Sequence, residues 1–445
     1  MAIPELHRLR HAYHFTSIEN LGSIIDSGLL STNIKNSRGI THRNVAEENI
    51  QNRRSTMLVP GANGRCVHDY VPFYFAQKTP MQLAVLHKKN VDQELIIYFS
   101  ISISVLENRP GVFFTNASAN TDIAPNFYPA SEAHQLNTLN WQAIDNSRWS
   151  YPNDDERHQK MAELLIPDQV HIAEVGQIIT WNTSISNAVR TIFQEKDVVP
   201  PQITENSRHY YADPGNWNYS LVTGPFFLKR HFEDTVKSIN ADQRHNTKFP
   251  SLESAVLAIR QNFCIIQELS DIDGLGANYG PHRDDVGTHS RRVAELVRLS
   301  PEYAQLDDHN KAVLEMAAYM HDIGKGPKSR WNNSFMDKPD SNHARKSLPM
   351  LQRILTEDIS GVPADSVRKL VMLVTYDDLL GDIAANGRDK KQLFDIVTCQ
   401  DDINMLVALS KADIGSLSQA WLYNTSGTID NLRAEVLWAL QGPLR

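Results

Sequence analysis

Residues 316–325 read MAAYMHDIGK, and residues 66–75 read CVHDYVPFYF. Both contain a His-Asp pair, and the difference in their surroundings divides the chain in two. The stretch HNKAVLEMAAYMHDI, ending at Ile323, spaces its apolar residues three and four apart, which is the period of a helix. Adjacent His and Asp rarely share a face in mid-helix. At a helix end before Gly324 the backbone can turn, so that His321 and Asp322 both reach one ion. The first pair instead runs into the alternating YVPFYF, which places His68 and Asp69 at a strand entrance. Neighbours on a strand point to opposite faces, so that pair cannot chelate one ion. Tyr70, Phe73 and Phe75 are better suited to frame a flat ligand.

Outward from the second pair, everything after Ser251 reads as helix. SLESAVLAIRQNFCIIQEL, HSRRVAELVRL, HARKSLPMLQRIL, ADSVRKLVMLV, DINMLVALSKADI and NLRAEVLWAL repeat the helical spacing. Outward from the first pair the pattern is mixed. HAYHFTSIENLGSIIDSGLL opens as a strand, then caps a helix at Ser17 that ends at Gly28. Residues 31–66 read as a long polar loop with a helical piece near 45–54, and long loops in compact domains are often functional. A helix is expected over Met81–Lys89, and ELIIYFSISISVL is a buried strand, β-branched and aromatic. Further strands are expected at Gly111–Thr115 and Val170–Thr180, with a helix or helical turn over Glu156–Leu165. Residues 197–247 hold Pro200, Pro201, Pro214 and Pro225 among polar residues and read as a partly structured linker.

A chain of 445 residues calls for about two domains. The expected division is 1–196, a linker 197–247, and 248–445. No apolar run reaches the ~18 residues of a membrane span. MAIPELHRLRHAY lacks the apolar core of a signal peptide. Cys66, Cys264 and Cys399 are odd in number and far apart, which speaks against disulfides and a zinc-thiolate site and for a cytoplasmic protein. The net charge of −8 excludes a wholly basic nucleic-acid coat but leaves room for a local basic groove.

In the helical half, His289, the pair His321-Asp322, His343 and Asp413 stand on four separate helical segments. Nitrogen and oxygen ligands without thiolate suit Mn, Fe, Mg or Zn. The pattern H…HD…D, with HDIGK, resembles the HD-domain phosphohydrolase family over roughly residues 255–425. That resemblance implies a divalent metal on His289, His321, Asp322 and Asp413, and metal-dependent hydrolysis of a nucleotide or phosphoester. It places Lys325 near a substrate phosphate. The family often has a further His where Tyr376, Asp377 and Asp378 stand here. Asp377 and His343 remain candidates for a second metal or for substrate.

In the mixed half, Arg54 and Glu163 flank an aromatic-rich region, with His14, Phe15 and Thr16 at the first strand. An Arg can hold a pyrophosphate bidentately, and a carboxylate can stabilise a ribosyl oxocarbenium. No G-x-G-x-x-G is present, so a Rossmann site is excluded. YHFTSIENLGSIIDSGLL, NRRSTMLVP, VHDYVPFYFAQKTPM and RHQKMAELLIP together resemble the DarT family of DNA ADP-ribosyltransferase toxins, over roughly residues 8–195. The resemblance implies NAD bound by His14, Phe15, Thr16, Leu30 and Arg54, with Glu163 and Arg54 catalytic. Arg53 is the alternative to Arg54. It further implies single-stranded DNA as the acceptor, because a base must be unstacked to react. Arg65, Lys88, Lys89, Arg148, Arg157, His158 and Lys160 are candidates for a phosphate track.

The expected fold is thus α+β: an ADP-ribosyltransferase-like domain of short strands, then an all-α HD bundle. The expected function is transfer of ADP-ribose to a DNA base, of toxin or phage-defence type, with a metal phosphohydrolase in cis and a cognate antitoxin as partner. Two alternatives stand beside it. One is transfer to RNA or protein; the other is a silent transferase fold that regulates an active hydrolase.

Overall fold

The computed structural model describes residues 2–43, 48–119, 124–148, 151–211, 222–242, 244 and 247–442. Residues 45–47 of the helix expected at 45–54 lie outside the described residues, as do 212–221, 243, 245 and 246 of the expected linker. The chain divides into two units, Met1–Leu221 and Val222–Arg445.

The first unit is built on short strands: β1 (His11–Ser17), β2 (Leu29–Leu30), β3 (Tyr70–Tyr74), β4 (Ile96–Ser102), β5 (Phe113–Thr115), β6 (Phe127–Pro129), β7 (Glu163–Pro167), β8 (Gln169–Val170), β9 (Gln177–Thr180) and β10 (Gln202–Glu205). Eight form one sheet in the order β10-β9-β4-β1-β3-β7-β5-β6, while β2 pairs with β8. β4, IIYFSIS, has β1 on one side and β9 on the other and is buried up to Ile101. Its branched and aromatic side chains fill the core on both faces. β9 and β10 are parallel and are joined by the amphipathic helix Thr183–Glu195. The other described pairs in this sheet are antiparallel.

Three local expectations change. The helix expected over Glu156–Leu165 is a short helix, Asp154–Gln159, followed by β7. ELLIP is a short apolar run whose period suits either state, and pairing with β3 and β5 decides it. The strand expected over Val170–Thr180 is broken by a turn at Ile172–Glu174. His68 and Asp69 lie in a 3-10 turn, Val67–Asp69, where the Asp69 carboxylate accepts from the Cys66 N–H and the Asn33 amide. Gly28 ends its helix with φ 73°, and a Cβ there would strike the Val170 carbonyl oxygen at 2.7 Å. A glycine is therefore required where β2 meets β8.

Residues 197–247 contribute to both units. β10 closes one edge of the sheet, and the Tyr210 hydroxyl donates to the Ile96 carbonyl at 2.9 Å. The helix Pro225–Ala241 sets Leu228, Phe232 and Ile239 into the core of the second unit.

Among the described residues the second unit is helical apart from a two-stranded pair, Gly276–Ala277 with Phe335–Met336, and a single bridge between Phe249 and Ile359. Helix Asp308–Met320 is capped by Asp307 and buried along nearly its whole length. It ends at His321, and a 3-10 turn, Ile323–Lys325, follows. Against that turn packs helix His343–Arg353. The approach is so close that a Cβ on Gly324 would overlap the His343 carbonyl oxygen, and the Gly324 N–H donates to the Ser347 hydroxyl at 3.0 Å. The residues between the His-Asp pair and Lys325 are thus dictated by helix packing. This mixed unit followed by a helical unit is the α+β class expected.

Candidate active sites

In the first unit, His14, Phe15, Thr16, Leu30 and Arg54 line one cavity of about 560 Å³. Strand β1 brings the first three, and helix Glu48–Thr56 brings Arg54. Of the two adjacent arginines, Arg53 is exposed and Arg54 is buried. The Arg54 guanidinium donates twice to Glu163, Nη1 to Oε1 and Nη2 to Oε2, both at 2.9 Å. Glu163 is fully buried at the start of β7. Its Oε1 also accepts from the Ala119 N–H at 3.2 Å, and its own N–H donates to the Thr115 hydroxyl. Two residues 109 apart in sequence therefore meet as a forked ion pair, with Arg54 at the cavity wall and Glu163 buried behind it.

The cavity wall is cationic. Lys35, Arg43 and Arg54 line it, and no carboxylate lines it among the described residues. Burial, with Arg54 and Lys35 adding to it, pushes the His68 imidazole down to about 4. Burial likewise lowers His14, whose Nδ1–H donates to the Pro72 carbonyl at 2.8 Å, so its Nε2 offers a lone pair. Burial pushes the Tyr74 hydroxyl well above its usual range, and Glu163 adds to it. Lys35, Arg43 and His68 join the expected residues here. Lys35 and Arg43 sit in a polar stretch without period, and nothing in the sequence marks them. Of the expected aromatic frame only Tyr70 lines this cavity, because Phe73 is wholly core. The expected phosphate track is also shorter: Arg65 binds Asp168, and Arg157 pairs with Asp154 at 3.1 Å.

In the second unit, ligand atoms of His289, His321 and Asp322 gather within 4.8 Å of one another. Asp413 joins them, its Oδ1 2.9 Å from His289 Nε2. Neighbouring groups orient both rings. His289 Nδ1 donates to the Ser416 hydroxyl at 3.0 Å, and His321 Nδ1 donates to the Ala318 carbonyl at 2.9 Å. Both Nε2 atoms therefore point inward, 3.2 Å apart, beside two carboxylates. Two imidazole nitrogens converging with two carboxylates form a donor set that fits a divalent cation.

Asp322 also belongs to a second group, with His343 and Asp377. His343 Nε2 lies 3.2 Å from Asp377 Oδ2 and 3.9 Å from Asp322 Oδ1. Asp377 Oδ1 is buried without a hydrogen-bond partner among the described residues. The Lys325 ammonium donates to Asp322 Oδ2 at 2.7 Å. Burial opposes ionisation of Asp322, but Lys325 and the three histidines hold its carboxyl well below the carboxylate range. Burial would lower His343, yet Asp377 and Asp378 outweigh it and push the imidazole up to about 9. Tyr279 and His282, from a loop whose sequence carries no metal spacing, also flank this site, with the His282 ring 5.7 Å from that of His289. Among the described residues, no group of this kind includes the His68-Asp69 pair.

Comparison with known proteins matches each half separately. A family described as "ssDNA thymidine ADP-ribosyltransferase, DarT" matches residues 13–212, and one described as "HD domain" matches residues 286–389. A DNA ADP-ribosyl transferase from Thermus aquaticus is 32% identical over 206 residues, which is 45% of this chain and 88% of that protein. A DNA ADP-ribosyl transferase–DNA ADP-ribosyl glycohydrolase fusion protein from Thermosipho africanus is 23% identical over 239 residues, covering 52% of this chain and 58% of its own length. Among solved structures, Thermus sp. 2.9 DarT in complex with ADP-ribosylated ssDNA is similar with a TM-score of 0.42 and 28% identity, covering 47% of this chain and 99% of the other. No helix among the described residues is long and apolar enough to cross a membrane.

Proposed function

The chain belongs to the DarT family of DNA ADP-ribosyltransferases, and from that premise we propose that its first unit transfers ADP-ribose from NAD to a base of single-stranded DNA, with Glu163 and Arg54 as the catalytic pair. The observation that carries the reading is the buried fork between Arg54 and Glu163 beside a cationic cavity without carboxylates among the described residues. Such a cavity suits a dianionic pyrophosphate, and His14, Phe15, Thr16 and Leu30 are the residues assigned to hold the dinucleotide with Arg54. In the reaction the ribose C1′–nicotinamide bond breaks and nicotinamide leaves with the electron pair. A base nitrogen forms the new bond to C1′ and loses its proton. Glu163 stabilises the ribosyl cation and takes up that proton, while Arg54 orients the carboxylate and contacts NAD.

The second unit acts as a metal-dependent phosphohydrolase. His289, His321, Asp322 and Asp413 would hold one divalent cation of the Mn, Fe, Mg or Zn class, and His343 and Asp377 would serve a second cation or the substrate. A bound cation supplies Lewis acidity and a nucleophilic water. Lys325 neutralises Asp322 and stands ready for a substrate phosphate. A toxin-type activity of this kind calls for a restraining partner, an antitoxin in trans or a reversing activity in cis.

The test is incubation of the full chain with NAD and separate pools of single-stranded DNA, RNA and protein, read by mass spectrometry. DNA should gain one ADP-ribosyl group per modified base, and Glu163→Gln should abolish the gain. Label confined to RNA or to protein would refute the assignment of DNA as acceptor.

A further inference from the structure

A second cavity, of about 480 Å³, opens in the same unit and is lined by Arg10, Lys78, Lys160 and Arg208, with Asp145 its one acidic residue among those described. That carboxylate is already occupied, because Arg10 donates to it twice, at 2.8 and 2.9 Å. Lys78 and Arg208 pair with no carboxylate among the described residues, and Arg208 is exposed. Lys160 is 2% exposed, and among the described residues its ammonium donates only to main-chain carbonyls, those of Ile144 (2.6 Å) and Asn146. Burial pushes its pKa down to about 8, Lys78 lowering it further against Asp145. A buried cation with a cationic neighbour, whose nearest carboxylate, Asp145, is already bonded to Arg10, is stabilised when an anion enters. The aromatic rings of Tyr13 and Phe75 line the same space.

Its position joins this cavity to the chemistry. Lys160 lies three residues before Glu163, a span of at most ~11 Å between their Cα atoms. The Phe75 N–H donates to the Ala162 carbonyl at 3.1 Å, so this wall continues the ladder that seats Glu163 opposite Tyr74. We infer that the cavity lined by Lys78, Lys160 and Arg208 seats a backbone phosphate of the DNA strand next to the base being modified. The inference rests on the reading of the first unit as a DNA ADP-ribosyltransferase and specifies which surface meets the acceptor. Arg10 and Asp145 are bonded to each other, which leaves Lys78 and Arg208 as the lining cations that neither pair with a carboxylate among the described residues nor sit fully buried like Lys160.

The full chain, a Lys78→Glu/Arg208→Glu double variant and Arg190→Glu are titrated with a fluorescein-labelled single-stranded oligonucleotide of mixed sequence over a range of salt concentrations. Arg190 lies on helix Thr183–Glu195, lines neither cavity and serves as a control for bulk charge. The double variant should weaken binding by ~10-fold or more, with a salt dependence shallower by ~0.7 in log–log slope for each phosphate it no longer neutralises. Arg190→Glu should stay within about two-fold of the parent, as a distant surface charge does at physiological salt. Thermal melting checks that the double variant is folded, and the single Lys78→Ala replaces it if it is not. A double variant that binds like Arg190→Glu overturns the inference while leaving the transferase reading intact. A parent chain that neither binds nor modifies DNA overturns both.

Discussion

Arg53 and Arg54 are equivalent on paper, and only burial separates them. Arg54 turns inward to Glu163, while Arg53 faces out. The fork is planar on both sides, which a lysine cannot reproduce. Arg54→Lys should keep the charge yet lower NAD-dependent transfer by ~10- to 100-fold, the equivalent of ~1.4–2.7 kcal/mol for one lost charge-assisted bond. Initial rates of nicotinamide release in the presence of DNA measure it. Burial also sets a pH response in this unit. His209 is 1% exposed between Tyr13 and Tyr98, and burial, with Lys78 adding to it, pushes its imidazole down to about 3. The unfolded chain takes up a proton near the ordinary pKa of about 6.5, and the folded chain does not. Stability of the first unit should therefore fall as pH drops below ~6.5 and go on falling towards the folded value. His209→Phe should flatten that decline in melting temperature between pH 7 and pH 5. Unchanged steepness would show that the proton uptake lies elsewhere.

Short elements carry the functional groups, and their identity is settled by neighbours. Residues Glu163–Pro167 become a strand because β3 and β5 flank them, and that pairing is what buries the Glu163 carboxylate next to Thr115. A helix there would have pointed successive side chains around a cylinder instead. The turn after His321 shows the same dependence. Gly324 is in contact with the first turn of helix His343–Arg353, and no side chain fits between. Gly324→Ala should cost the second unit about 1–3 kcal/mol through overpacking and should displace Asp322 relative to His343. Calorimetry should report a lowered transition for that unit alone, with weaker Mn binding.

At the scale of the whole molecule, two units have separate cores, one matching a DNA ADP-ribosyltransferase family and the other an HD domain. Removal of divalent metal should lower the melting temperature of the second unit and leave that of the first unchanged. Ligand linkage sets the size, about 2.7 kcal/mol when the metal is at 100 times its Kd. His321→Ala should abolish the response to EDTA and Mn. A single transition that shifts as one would contradict independent cores.

Much of this could be read in the sequence by itself. Periodicity separates a mixed half from a helical half, because helical period is a local property, and the resemblance of H…HD…D to the HD family singles out His289, His321, Asp322 and Asp413 as candidate ligands. His343, Asp377 and Lys160 are candidates in the sequence, but their grouping, the direct fork between Arg54 and Glu163, and the part of Lys35 and Arg43 in the cavity wall are decided only by tertiary structure. Those arrangements depend on which strands and helices are neighbours, and on which charges are taken out of water, and neither is encoded within any one segment.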